Sequence, residues 1–134
     1  MSTNQQYIDR ALTAIKVLEK GQSADATDSA TALAVFNQML HSWGVSDKDF
    51  NWFTQDTLAD TAPIPNWAEE GVISNLAIRL AEPFETPVSQ IVIAKAINGS
   101  SLITRTLLNL NVDALDMSHL PQGRRPENDI LNDI

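Results

Sequence analysis

The 134-residue chain has no cysteine, only two histidines and one tyrosine, and nine basic side chains against seventeen acidic ones. Without cysteine it can form neither a disulfide nor a thiolate nucleophile, and two histidines alone do not build a zinc site. Its net charge of −8 comes without clustered Lys and Arg. That argues against nucleic acid as a ligand, because phosphate binding works by replacing condensed counterions with protein cations. The one adjacent basic pair is Arg124 and Arg125. The acids are scattered rather than run together, so they read as a solvated surface. The opening stretch, MSTNQQYIDR, lacks the basic and apolar regions of a signal peptide, and no apolar run is expected to reach the roughly 20 residues of a membrane span. No phosphate loop, catalytic Ser, His and Asp set or metal-ligand spacing is present. These absences predict a soluble protein made in a cytoplasm, with no membrane association, no metal, no cofactor and no catalytic residue.

What the chain does contain is helical periodicity. Ile8, Ala11, Leu12, Ile15 and Leu18 form one stripe, with Gly21 placed to end that helix in the left-handed conformation. Asp25 to Ser29 offers capping side chains, after which Leu33, Phe36, Leu40 and Trp43 recur at 3-4-3 spacing and Gly44 closes a second helix. Asn66 and Glu69 have capping-box spacing ahead of Ile73, Leu76, Ala77, Leu80 and Ala81, and Pro83 ends that third run. A fourth helix is expected to start at Thr86 and Pro87, with Val88, Ile91 and Val92 on its packing face. It continues nearly in phase through Lys95, Gly99, Leu102, Ile103 and Leu110. An intact helix across Gly99 implies that another backbone approaches closely, since glycine there costs about 1 kcal/mol relative to alanine.

The fold class expected is therefore all-α. Residues 1–110 form a four-helix bundle-like domain and residues 111–134 an extended tail, punctuated by Pro121, Gly123 and Pro126. Between helices two and three, Ser46 to Pro65 has no helical period. A connection this long usually has a job, which favours a projecting loop or short β-hairpin. Its aromatic residues Phe50, Trp52 and Phe53 either fold back on the bundle or anchor a partner. Trp43 is expected to cap the core. Glu69 and Glu70 could suggest acid/base chemistry, but acidic residues at a helix start are ordinarily structural. His41, without an acidic partner or second ligand, is expected at the surface.

Four segments carry a resemblance. AVFNQMLHSWGV (Ala34–Val45) resembles the Leu/Phe-Asn-x-Met-Leu-x-x-Trp signature of the helical head-to-tail adaptor proteins of tailed phages, most closely those of short-tailed phages. NLAIRLAEPF (Asn75–Phe84), IVIAKAI (Ile91–Ile97) and the tail LPQGRRPEND (Leu120–Asp129) are similar to further segments of that family, in the same order. Together they cover most of residues 5–126. Arg124 and Arg125 depart from the pattern, in which small residues often follow the glycine.

The resemblance implies a structural virion component and not an enzyme. Such a protein sits at the head-tail junction as a ring of about twelve copies beneath the portal protein. It extends the DNA channel, helps retain packaged DNA and offers a platform to downstream tail proteins. Leu120, Pro121, Gln122, Gly123, Arg124, Arg125 and Pro126 would be the portal-docking tail, and Phe50, Trp52 and Phe53 a contact loop for neighbouring subunits or tail proteins. Twelve copies at −8 each would repel phosphate and let DNA pass without sequence-specific binding. Ordering residues 120–134 would cost on the order of 1–2 kcal/mol each, which suits a monomer that assembles on a template. The competing readings are a small helical wall-degrading or nucleic-acid-processing enzyme using scattered carboxylates, and a generic helical protein-binding regulator.

Overall fold

The computed structural model describes residues 1–114, with side chains through residue 110. Among the described residues the regular structure is helical: α1 (Asn4–Ala14), α2 (Ala26–Trp43), a 3-10 turn (Asn66–Ala68), α3 (Glu69–Ala81) and α4 (Gln90–Ala114). Among the described residues there is no strand; Thr3 and Thr61 form an isolated antiparallel bridge. The all-α expectation is met at this level, and α4 runs past the expected boundary at residue 110.

Each helix begins and ends for an identifiable reason. α1 opens on a reciprocal cap in which Thr3 Oγ1 accepts from the Gln6 N–H at 3.2 Å and the Gln6 side chain accepts from the Thr3 N–H at 2.9 Å. It stops well before Gly21. Lys16 takes the left-handed conformation (φ 64°), and the Val17 and Lys16 N–H groups return to the carbonyls of Leu12 and Thr13, closing the last turn with a lysine where glycine is usual. Gly21 (φ 87°) belongs to the following turn. Asp25 caps α2, its carboxylate accepting from the Asp28 N–H at 2.8 Å, and Gly44 follows the helix end at Trp43.

The start of α3 differs from expectation. Asn66 makes no capping bond, and the chain enters α3 through the 3-10 turn with Pro65 before it. Glu69 is drawn instead toward α1, where it accepts from Ser2 Oγ at 3.1 Å and pairs with Arg10 at 3.2 Å. α4 starts at Gln90 rather than Thr86, because Ser89 Oγ accepts from the Val92 N–H at 3.3 Å and so takes the capping role.

The core gathers one face from each helix. Tyr7, Ile8, Ala11 and Leu12 of α1 and Ala32, Phe36, Met39, Leu40 and Trp43 of α2 meet Val72, Leu76, Ala77 and Leu80 of α3. α3 packs most extensively on α4 and next on α1. At the α3–α4 crossing Gly71 and Gly99 lie backbone to backbone: a Cβ added to Gly71 would stand 2.9 Å from Gly99 Cα, and one added to Gly99 would overlap Gly71 Cα. The close approach inferred for Gly99 is thus met, with Gly71 as its partner. Asn75, one turn along α3, donates through Nδ2 to Gly71 O (2.7 Å), and across the crossing to Ala96 O (3.2 Å) and Ser100 Oγ (3.1 Å).

Gly99→Ala is therefore expected to destabilise the protein by roughly 1–3 kcal/mol, because overpacking outweighs the ~1 kcal/mol gain in helix propensity. Urea unfolding measures this, and a variant as stable as wild type would show that the helices can separate at no cost.

Candidate functional site

The segment from Ser46 to Pro65 neither projects nor forms a hairpin. It lies along the helices, with Trp52, Gln55, Ala62 and Ile64 buried. Asn37 of α2 holds its middle: Oδ1 accepts from the Trp52 indole N–H (3.0 Å) and the Gln55 N–H (2.9 Å), and Nδ2 donates to Gln55 O (2.9 Å). Buried Asn4 of α1 donates to Gln55 Oε1 (3.0 Å) and Thr57 O (2.9 Å). The returning leg completes α1, since the Asn4 and Gln5 N–H groups, which have no partner within their own helix, donate to the carbonyls of Asp60 and Leu58.

The three loop aromatics therefore separate. Trp52 is 9% exposed and tilts against Phe36 at 5.1 Å between ring centres, which places it in the core and not on a contact loop. Phe50 is half-buried, its ring 6.1 Å from that of Trp67. Phe53 is 64% exposed and alone keeps the geometry of an anchor. The tail residues Leu120–Pro126 lie outside the described residues. Trp43 is buried under the Lys48 ammonium, 6.0 Å from its ring centre. His41 is exposed and shares a 2.9 Å hydrogen bond with Thr54 Oγ1.

A cavity of about 700 Å³ between α1, the turn at 20–23 and the starts of α3 and α4 is floored by Ile73 and Val92. Its charges are largely engaged among themselves. The Asp9 carboxylate accepts from Gln5 Nε2, Ser23 Oγ and the Ala24 N–H; Arg10 pairs with Glu69, and Lys95 stands 3.9 Å from Glu70. Glu69 is thus a tie between helices. Among the described residues no group of three His, Cys, Asp or Glu side chains could hold a metal ion.

The most unusual surface, which the sequence reading missed, is the outer side of α4. Val92, Ala96, Gly99 and Ile103 face the core, but Ile91 (69% exposed), Ile93, Ile97 (62%), Leu102, Leu108 (60%) and Leu110 face outward. The reading of Ile91, Leu102 and Leu110 as packing residues is corrected: Ile91 and Leu102 lie to one side of the contact face, and Leu110, although in phase with Ile103, is exposed. Gln90–Leu110 also reaches a mean hydropathy of 1.2 over a length that would cross a membrane, against the expectation of no such run. One face of that helix is held by α3, and Lys95 and Arg105 interrupt it.

No protein-family model matches this chain, and no curated protein matches it. Geometry alone speaks for these surfaces.

Two polar features lead to measurements. Asn37→Ala would strip partners from Trp52 Nε1 and from both backbone groups of Gln55, an expected loss of roughly 2–3 kcal/mol. Amide exchange at Gln55 should accelerate; protection equal to wild type would mean that the segment is held elsewhere. Tyr7 is buried, and its hydroxyl, although near the Glu69 carboxylate, makes no well-formed hydrogen bond. Burial first, and the Glu69 charge second, push its ionisation far above the ordinary phenol value of 10.0. The neutral form is the one the fold favours, so this stability is fully present below about pH 10 and falls as pH rises beyond it. Tyr7→Phe should melt at least as high as wild type at neutral pH, having no orphan hydroxyl to desolvate. Its alkaline decline should also be shallower. Identical melting profiles from pH 9 to 11 would remove Tyr7 from that account.

Proposed function

We propose that this chain is a head-to-tail adaptor of a tailed phage: a bundle-like helical subunit that joins others in a ring beneath the portal, extends the DNA channel and helps retain the packaged genome. The observation that carries this reading is the outer side of α4, where at least five large aliphatic side chains stand in solvent, on a helical scaffold in which, among the described residues, no metal-holding group of His, Cys, Asp and Glu is assembled. Exposed aliphatic surface of this extent marks a protein that works by docking.

Two residues of the resembling segments also have physical roles that favour the comparison. Asn37, in AVFNQMLHSWGV, clamps the connecting segment, and Asn75, which opens NLAIRLAEPF, ties the α3–α4 crossing. Both are polar residues whose hydrogen bonds reach across to other parts of the chain, so helix packing alone does not call for them. The net charge of −8 suits a channel component past which DNA must slide.

The reading is tested by mixing the full chain with purified portal rings and imaging the product by electron microscopy. A collar of about twelvefold symmetry is the expected result, and portal rings left bare would overturn the proposal. Deleting residues 120–134 should leave the helical circular dichroism and melting temperature of the remaining domain in place while abolishing collar formation. A truncated chain that still binds would remove the tail from the docking role.

A further inference from the structure

We propose that the cavity between α1, the turn at 20–23 and the starts of α3 and α4 is a binding site for a small organic anion with an aliphatic body. The body rests on Ile73 and Val92, and Lys20 and Ser74 are donors to the acidic group. The inference goes beyond the adaptor reading and does not rest on it.

The cavity holds about 700 Å³, inside the range of about 300–1,000 Å³ usual for small-ligand sites. Its apolar lining takes one side chain from each of three helices: Ala14 at the end of α1, Ile73 of α3 and Val92 in the first turn of α4. Gln6, Arg10, Lys20, Gln22 and Lys95 stand around that floor.

The polar lining has more donors than it can use. The Asp9 carboxylate already accepts from Gln5 Nε2 (2.7 Å), Ser23 Oγ (2.8 Å) and the Ala24 N–H (3.0 Å). Gln6 and Gln22 have engaged their carbonyl oxygens with the N–H groups of Thr3 and Glu19, which leaves both amide nitrogens as donors. Arg10 gives one nitrogen to Glu69, and Lys95 stands 3.9 Å from Glu70; both keep further N–H groups. Lys20 has no ion-pair partner among the described residues. Ser74 decides the matter. It is 5% exposed and lines the cavity, yet its hydroxyl makes no hydrogen bond among the described residues, not even back to the carbonyl four residues earlier, where a serine inside a helix commonly bonds. Glu70, the other carboxylate of the lining, is 73% exposed, so water weakens its repulsion of an incoming anion.

An occupant must therefore bring acceptors and apolar surface together. A neutral apolar ligand would cover Ser74 and Lys20 without pairing them, which is unfavourable. A bare inorganic anion would leave Ile73 and Val92 uncovered. A free aliphatic carboxylate or phosphate and the chain end of an anionic lipid share the chemistry that remains.

Octanoate below its micelle concentration is the probe, titrated into the isotope-labelled full chain and followed by amide NMR. Saturable shifts are expected at Ile73, Ser74, Val92 and residues 20–23, with acetate and octanol each binding roughly tenfold more weakly or worse, since each lacks one half of the match. Lys20→Glu, at an exposed turn position, and Ser74→Ala are each expected to weaken octanoate roughly fivefold or more while keeping wild-type circular dichroism. Should Ser74→Ala fold poorly, Lys20→Glu carries the test. Phosphatidylglycerol vesicles separate the two sources: vesicles that cause no shifts assign the site to a free anion, and vesicles that compete with octanoate assign it to a lipid chain. Absence of saturable shifts with octanoate, equal affinity for octanol, or unchanged affinity in Lys20→Glu would overturn the site. Vesicle binding without octanoate binding would put the contact on the outer surface and overturn it as well. None of these outcomes alters the portal experiment, so either proposal can fail alone.

Discussion

The backbone contact between Gly71 and Gly99 is the constraint from which the rest of this structure follows. Two helices that meet through Cα atoms alone can bring their carbonyls within reach of one side chain, and Asn75 uses that proximity to bond to both. A polar group in such a place must be satisfied, because leaving it unpaired costs on the order of 1–3 kcal/mol. The crossing therefore has little freedom to slide: shifting α4 by one residue would replace Gly99 with Asn98 or Ser100 and bring a Cβ against Gly71. Register at this point fixes which residues of α4 face α3, and by elimination which face away. The exposed aliphatic rows are a consequence of that register, not of a weak apolar pattern.

The segment between α2 and α3 follows a different logic. Twenty residues without helix or strand must still find partners for their backbone groups where these are buried. Here they find them in side chains of the helices and in the open N-terminal turn of α1. Asn37 serves both backbone groups of Gln55, and α1 donates two N–H groups to the carbonyls of Leu58 and Asp60. The segment thus substitutes for a strand pairing: it completes α1, covers Phe36 through Trp52 and closes the core. It leaves Phe53 outside, because adjacent side chains of an extended chain point in opposite directions. Trp52 and Phe53 are chemically similar neighbours, yet one is core and the other is surface.

The sequence reading succeeded where a signal was local and failed where a distant partner decided. The apolar stripe from Ile73 to Ala81, a cap from within Asp25 to Ser29 and the end of α2 at Gly44 depend on residues within a turn or two, and all are found as read. The Gly99 inference also held, because glycine inside a long helical period is unfavourable unless something compensates. Its partner Gly71 gave no comparable sign, lying near a helix start where glycine is unremarkable. Asn66 and Glu69 have the spacing of a capping box, but Glu69 is held by Ser2 and Arg10, far away in sequence. Meanwhile Thr3 and Gln6 form a true capping box with the same spacing, legible but overlooked because the apolar stripe begins only at Tyr7 and Ile8. The outer face of α4 was illegible for a physical reason: a helix apolar on more than one side has no single preferred face until its neighbours are known.

That surplus of apolar surface bears on how much function a fold like this can carry without chemistry. A helix apolar on more than one side is normally buried, yet α4 packs chiefly on α3 and keeps several large aliphatic side chains in solvent. Exposing Ile91, Ile97 and Leu108 forgoes burial worth roughly 1.5–3 kcal/mol for each fully buried side chain, an arrangement that makes sense if the burial is completed by another molecule. The cations among those side chains have neighbours within the chain: Lys95 stands 3.9 Å from Glu70 of α3, and Asp47 reaches Thr104, next to Arg105. Neutral apolar surface would accept many partners and many registers. Lys95 and Arg105, set among these aliphatic side chains, narrow both.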